Sequence, residues 1–218
     1  LQIQGENRSR RGTMCSEGIQ LPLHRERTYG KNRRTTVKNL LEEAGEIRGS
    51  VLDAGCGTGE NALYLASRGH EVWGLDFIPV AIERANVKAK EQELGVHFQV
   101  GDALKLDQLG RTFDTAIDCG LFHTFADEER PLYVSGLATV LRPGGSVHIL
   151  CFSDQEPPGQ GPRRVTQQEI RDAFGDGWRV TEIREARFQT SDHPEARTFS
   201  PGGPRAWLAT ITRTSASR

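Results

Sequence analysis

Seven residues concentrate most of the chemistry that can be read from this chain. Asp53-Ala-Gly55-Cys56-Gly57-Thr58-Gly59 follows a short apolar run and leads into a helical pattern. Glycines adopt backbone angles closed to other residues and let a ligand approach the chain without a Cβ in the way. The first turn of the following helix offers free N–H groups. Gly57-Thr-Gly59-Glu60-Asn-Ala62 even fits the G-x-G-x-x-A pattern of dinucleotide sites. Two acids argue against that reading. Asp53 and Glu60 flank the place of a pyrophosphate, which carboxylates repel; they suit a ligand with an ammonium and a sulfonium. Asp76 ends the next apolar run, and as a bidentate, acceptor-only group it can take both hydroxyls of a ribose; the alternative is a cap before Pro79. Asp102, in Gly101-Asp102-Ala103, can take the exocyclic amine of adenine; the alternative is a turn aspartate.

A second group sits in Asp118-Cys119-Gly120-Leu121-Phe122-His123. His123 titrates near neutrality when unperturbed, so it is a candidate general base for a hydroxyl or thiol; the competing reading is a pocket-wall histidine with no proton role. Phe122 and Phe125 are candidates for an apolar pocket wall, or for ordinary core. Asp118 either meets a ligand ammonium or ends its strand. Cys119 and Cys56 read as packing rather than as nucleophiles. Arg163-Arg164 can steer an anionic acceptor or stand as solvated charge.

The elements that must position these residues alternate. Strands are predicted at 51–54, 71–75, 96–100, 113–117, 146–152, 178–183 and 206–212. Helices are predicted at 37–44, 61–67, 79–94, 127–141 and 166–174, the last opened by the capping box Thr166-Gln-Gln-Glu169. This rhythm implies a doubly wound α/β fold, a mostly parallel sheet with helices on both faces, whose ligands bind at the carboxyl ends of the strands. All four polar segments above fall at such ends. Arg142-Pro-Gly-Gly145 reads as a turn, and the loop 189–205 as a segment that folds over a site.

The runs VLDAGCGTG, GLD, GDAL, FDTAIDCGLFH and LRPGG resemble the class I S-adenosylmethionine (SAM)-dependent methyltransferases over about Val51–Phe152. The resemblance implies a Rossmann-like seven-stranded sheet with one antiparallel strand, the last. It implies SAM as methyl donor and S-adenosylhomocysteine (SAH) as product. Asp53, Gly55, Cys56, Gly57, Thr58 and Gly59 would carry the methionine end, Asp76 and Phe77 the ribose side, and Asp102 and Ala103 the adenine. Asp118 and Cys119 complete the cofactor-binding set, with His123 as catalytic residue and Phe122 and His123 facing the acceptor. The stretch from Asp118 to Asp154, with GPRRVTQQEI, is similar to a subgroup acting on thiopurines, tellurite, thiols and halides. A small thiol or other soft nucleophile is therefore the favoured acceptor. A small-molecule O-methyltransferase and a SAM-binding protein of impaired catalysis are the alternatives. The aromatic, Pro-rich lid segment of many relatives is replaced here by Tyr29-Gly-Lys-Asn-Arg-Arg34.

Composition limits the rest. Residues 1–50 carry +4 and the remainder −5, for a net charge of −1. No overall positive field draws the chain onto nucleic acid, so an RNA methyltransferase using the basic arm at 24–38 ranks low. The longest strongly apolar run, Val147–Phe152, is far short of the ~18 residues of a membrane helix. Cysteines 15, 56, 119 and 151 have no paired spacing and suit a reducing cytoplasm. No metal-ligand spacing occurs. We expect a basic N-terminal segment (1–36, with 1–13 read as foreign to the native chain, since Met14 is the only methionine), no apolar leader, one domain over 37–218, and a monomer or homodimer.

Overall fold

The computed structural model describes residues 45–159, 161–189 and 199–214. The helix expected at 37–44, the basic segment 24–38 and most of the loop 189–205 lie outside the described residues.

Val51–Ala54 is a run of four buried residues and forms β1, an interior strand of the sheet. Leu52 and Ala54 face one core, with Leu137 and Tyr133; Val51 faces the other, with Ala62 and Leu65. That division recurs on the neighbouring strands, as the two-residue period of a strand requires when both faces are covered. Helix α1 (Glu60–Ser67), β2 (Val72–Asp76), α2 (Pro79–Glu91) and β3 (Val96–Val100) follow, then β4 (Phe113–Cys119), α3 (Arg130–Val140), β5 (Leu141–Phe152), α4 (Gln167–Ala173), β6 (Trp178–Arg187) and β7 (Arg205–Arg213).

The seven strands lie in the order β3-β2-β1-β4-β5-β7-β6. β7 runs antiparallel to both β5 and β6, and the other pairs are parallel. One antiparallel strand, the last, is what the sequence implied. Strand order reverses between β1 and β4, so the crevice of this sheet opens above their carboxyl ends.

Local chemistry sets the boundaries. Pro79 starts α2, where its missing N–H costs nothing. Thr166 and Glu169 exchange both capping-box bonds at the start of α4: Glu169 N donates to Thr166 Oγ1 at 3.1 Å, and Thr166 N to Glu169 Oε2 at 2.7 Å. Two elements depart from expectation. α3 begins at Arg130 rather than Asp127, with its proline in the first turn. Arg142–Gly145 is no free turn but an insertion within β5: Leu141 pairs with Phe113, then Ser146 with Thr115. Gly145 is required there, since a Cβ would stand 2.9 Å from two carbonyl oxygens.

Candidate functional site

The glycine loop is held by its own backbone and one acid. Gly59 caps α1 at φ 84°, and a Cβ there would come within 2.6 Å of the Phe98 ring. Only glycine allows α1 to start that close to the strands beneath it. Gly57 N donates to Asp76 Oδ2 at 2.8 Å, and Ile78 N to Asp76 Oδ1 at 2.9 Å. Asp76 thus ties the loop after β1 to the end of β2, and each oxygen keeps a further lone pair for a ligand. Burial raises its pKa, while the Ile78 and Gly57 donors oppose that rise.

Asp53, on β1 beneath α1, is completely buried, and neither carboxylate oxygen has a hydrogen-bond partner. Burial pushes its pKa up to about 8; the neighbouring Ala62 N–H, outside hydrogen-bonding geometry, opposes this, and the charges of Asp76 and Asp118 add to it. Glu60, the other acid expected to face the ligand, does not. It pairs with Lys88 at 2.6 Å, and the same ammonium donates to Thr58 Oγ1 at 2.9 Å. Thr58 is therefore turned toward α2. The Cys56 thiol is buried, 3.7 Å from Gly57 O, and burial holds it protonated well above its usual range.

A cleft of about 520 Å³ opens at the carboxyl ends of β1, β2 and β3. Gly55, Asp76, Phe77, Asp102 and Ala103, all singled out from the sequence, line it. Phe77 is half exposed there. Asp102 Oδ1 accepts from Leu104 N at 2.9 Å and so caps the 3-10 turn 103–109, which the sequence reading missed. That turn brings Leu104 and Lys105 to the cleft; Leu121, Phe125, Glu129 and Leu132 close it from the β4–α3 side. The Asp102 cap was the available signal.

Past β4 several readings are corrected. Asp118 is engaged within the protein: its Oδ1 accepts from Leu121 N and Phe122 N at 2.8 and 3.2 Å, and its Oδ2 from the Tyr133 hydroxyl at 2.9 Å. Burial still raises its pKa, to about 6. Cys119 is buried off the cleft. Phe122 is core rather than pocket wall, fully buried against Phe174; Phe125 is the one that reaches the cleft. Arg163 is tied to Asp127 and Glu169. Arg164 donates to Pro162 O and Pro157 O, with its guanidinium 5.4 Å from the Phe152 ring centroid.

His123 is the largest correction. It is 1% exposed, and its Nδ1 accepts the Phe152 N–H at 2.9 Å. Burial and the charges of Arg164 and Arg130 depress its pKa to about 3. With the Nδ1 lone pair engaged, the neutral ring carries its proton on Nε2 and has no site left to accept one. It is not a general base. Among the described residues no group of His, Cys, Asp or Glu is arranged to hold a metal ion, and no helix is long and apolar enough to cross a membrane.

A mostly parallel sheet with a reversal between β1 and β4, a glycine loop after a buried acid and acids at the next two strand ends define a nucleoside-binding α/β protein. Residues 51–145 match the family model described as a methyltransferase domain. The 2-heptyl-1-hydroxyquinolin-4(1H)-one methyltransferase of Mycobacteroides abscessus is 39% identical over 150 residues, 67% of this chain and 66% of that protein. Probable thiol methyltransferase 2 of Arabidopsis thaliana is 29% identical over 134 residues, 61% of this chain and 59% of that protein. The chain thus spans about two thirds or less of these relatives. A solved structure from work on the conversion of a disulfide bond into a thioacetal group during echinomycin biosynthesis is 37% identical, with a TM-score of 0.71 over 84% of this chain and 83% of that one. The chain belongs to the class I SAM-dependent methyltransferases, and its methyl donor is SAM.

The residues present fit that donor. Gly55, Asp76, Asp102 and Ala103 line the cleft, and a Cβ on Gly55 would crowd Leu121 at 3.0 Å in its wall; Asp53 lies outside that lining, sealed beneath α1, with a partnerless carboxylate whose chemistry suits a cationic ammonium.

Proposed function

We propose that the chain methylates a small molecule that brings its own ionised or intrinsically soft nucleophile. A thiolate comes first, and an acidic hydroxyl on a heteroaromatic ring second. One observation carries this: the described segment Asp118–His123 offers no base, and Glu129, the carboxylate on that side of the cleft, already accepts the Ala126 N–H. Asp118 accepts three donors, Cys119 is buried, and the one free lone pair of a neutral His123 is taken by Phe152 N–H. An oxygen or nitrogen that must lose a proton during transfer has no partner there, whereas a thiolate needs none. The relatives named for a thiol and for a hydroxyquinolone support the same choice.

SAM supplies a methyl group already activated by its sulfonium. The chain's own residues then align and exclude water. Asp53 would take the ammonium, the Gly55–Gly59 loop would hold the methionine end, Asp76 the ribose hydroxyls, and Asp102 and Ala103 the adenine edge; Phe77 and Leu104 line the same cleft. Phe125 and Leu121 close the cleft toward the acceptor.

A panel of thiols, hydroxy-heteroaromatics and simple alcohols, read by SAH release across pH at saturating SAM, tests this. Rates that rise with each acceptor's own ionisation support it. A shared enzyme pKa near neutrality for all acceptors, or preference for an un-ionised alcohol, refutes it.

A further inference from the structure

His123 has a second nitrogen that the fold leaves unused. On β5, Leu150 O accepts Gly120 N–H at 2.9 Å, and two residues on, Phe152 N–H turns to His123 Nδ1. The imidazole therefore extends the β4–β5 ladder by one step and stands over its carboxyl edge. The ring's far nitrogen points away from β5. Nε2 is sealed from solvent and has no hydrogen-bond partner. A buried donor left unpaired costs roughly 1–3 kcal/mol, so such groups mark places where something else binds.

The surroundings say what. Leu121 and Phe125, two residues either side, line the cleft. The Phe152 and Phe188 rings lie 5.1 and 5.8 Å from the imidazole, centroid to centroid. Arg164 sits over the Phe152 ring, and Arg130 lies 5.0 Å over the Phe122 ring. Arg130 is itself buried: Nη1 meets Glu169 at 3.3 Å, while Nε and Nη2 have no partner. Two guanidiniums and one imidazole N–H thus lie against neighbouring aromatic rings. Glu169 and Asp127, 3.3 and 3.6 Å from Arg130 Nη1, offset part of the guanidinium charge; the remainder, with the imidazole N–H, favours an anion over a neutral amine.

Resting on the methyl-transfer reading above, we propose that His123 is a positioning donor: its Nε2–H, beside the aromatic wall of Phe152 and Phe188, holds the negatively charged reacting group of an aromatic or similarly apolar acceptor. Nε2 is closed off in this arrangement, so a side chain must shift to admit the acceptor.

The probe is 4-nitrothiophenolate, titrated by absorbance into the protein–SAH complex, with neutral 4-nitrothioanisole as control. In His123→Asn the amide oxygen can still take the Phe152 N–H, but nothing replaces the Nε2–H. The substitution should weaken thiolate binding about tenfold or more. It should leave 4-nitrothioanisole and SAH affinity within about twofold. His123→Gln, whose amide N–H reaches toward the Nε2 position, should restore part of the loss. Unchanged thiolate affinity in His123→Asn, equal loss for charged and neutral probes, or no thiolate binding to the wild-type complex overturns the proposal. Failure to bind SAH at all would instead overturn the cofactor assignments, so the two failures are distinct.

Discussion

Two buried aspartates end neighbouring strands and meet opposite fates. Asp53 on β1 and Asp118 on β4 stand one register step apart, on opposite faces of the sheet. Both are essentially inaccessible to solvent, and burial raises the pKa of both. Asp118 accepts two backbone N–H groups and a tyrosine hydroxyl, so it holds the turn after β4. Asp53 accepts none. A buried carboxylate with its donors supplied belongs to the architecture; one without them is unfinished until a ligand arrives. The same contrast separates the two sides of the site. The cofactor side keeps acceptor capacity in reserve, at Asp53 and in the spare lone pairs of Asp76. The acceptor side keeps a donor in reserve, at His123.

The comparison can be broken most forcefully at Asp118. Asp118→Ala should orphan three buried donors and cost about 3–5 kcal/mol of stability. In a chain of this size that is roughly 10–15 °C in Tm by calorimetry. A loss too small to detect would mean that Asp118 does not hold the turn. Asp76→Ala comes next. It removes a charged acceptor from both loop and ligand and should weaken SAM binding by about 1.5–3 kcal/mol, read by titration calorimetry. Unchanged affinity would remove the ribose role.

Asp53 sharpens the contrast through pH. Its folded pKa of about 8 lies above the ordinary 3.8, so the empty protein is most stable with Asp53 protonated and loses that stability as pH rises toward 8. An ammonium requires the ionised form, so SAM binding should release a proton and tighten about tenfold per pH unit up to that pKa. Asp53→Asn should flatten this slope and leave the empty protein as stable or more so. A slope that survives the substitution excludes Asp53 as its source.

The histidines act with the opposite sign. His123 and His148 have folded pKa values of about 3 and 4, below the ordinary 6.5. Their neutral forms are built in, so stability is complete above 6.5 and falls as acid drives protonation toward those values. The raised pKa values of Asp53 and Asp118 offset this loss, so the difference between variant and wild type is what reports it: His148→Gln should gain in melting temperature relative to wild type as pH falls from 6.5 to 4, and the same slope in both would exclude His148 from the loss. The smallest effect belongs to Glu60→Gln, which breaks a partly exposed pair with Lys88. It should change stability by less than about 1 kcal/mol and leave SAM affinity unaltered. A large loss of affinity would return Glu60 to the cofactor set.

How far the sequence could be read depended on how local each cause was. β1, α2 and the Thr166 capping box follow from apolar runs, a first-turn proline and a four-residue exchange of hydrogen bonds. Gly55, Asp76 and Asp102 were placed at the cleft because strand ends and short spacings locate them. The 103–109 turn was missed because it has neither helical nor strand period. Phe122 and Phe125 could not be told apart, since a single 3-10 turn decides which enters the core.

By itself, then, the sequence determined the parallel α/β order, the glycine loop and the methyltransferase class, because each depends on residues near one another in the chain. Only tertiary structure decided which polar atoms were already spoken for. Lys88 reaches Glu60 from 28 residues away, Tyr133 reaches Asp118 from 15, and Phe152 reaches His123 from 29. The chemistry of a buried acid or imidazole depends on its hydrogen-bond partners, and those are set by packing rather than by spacing.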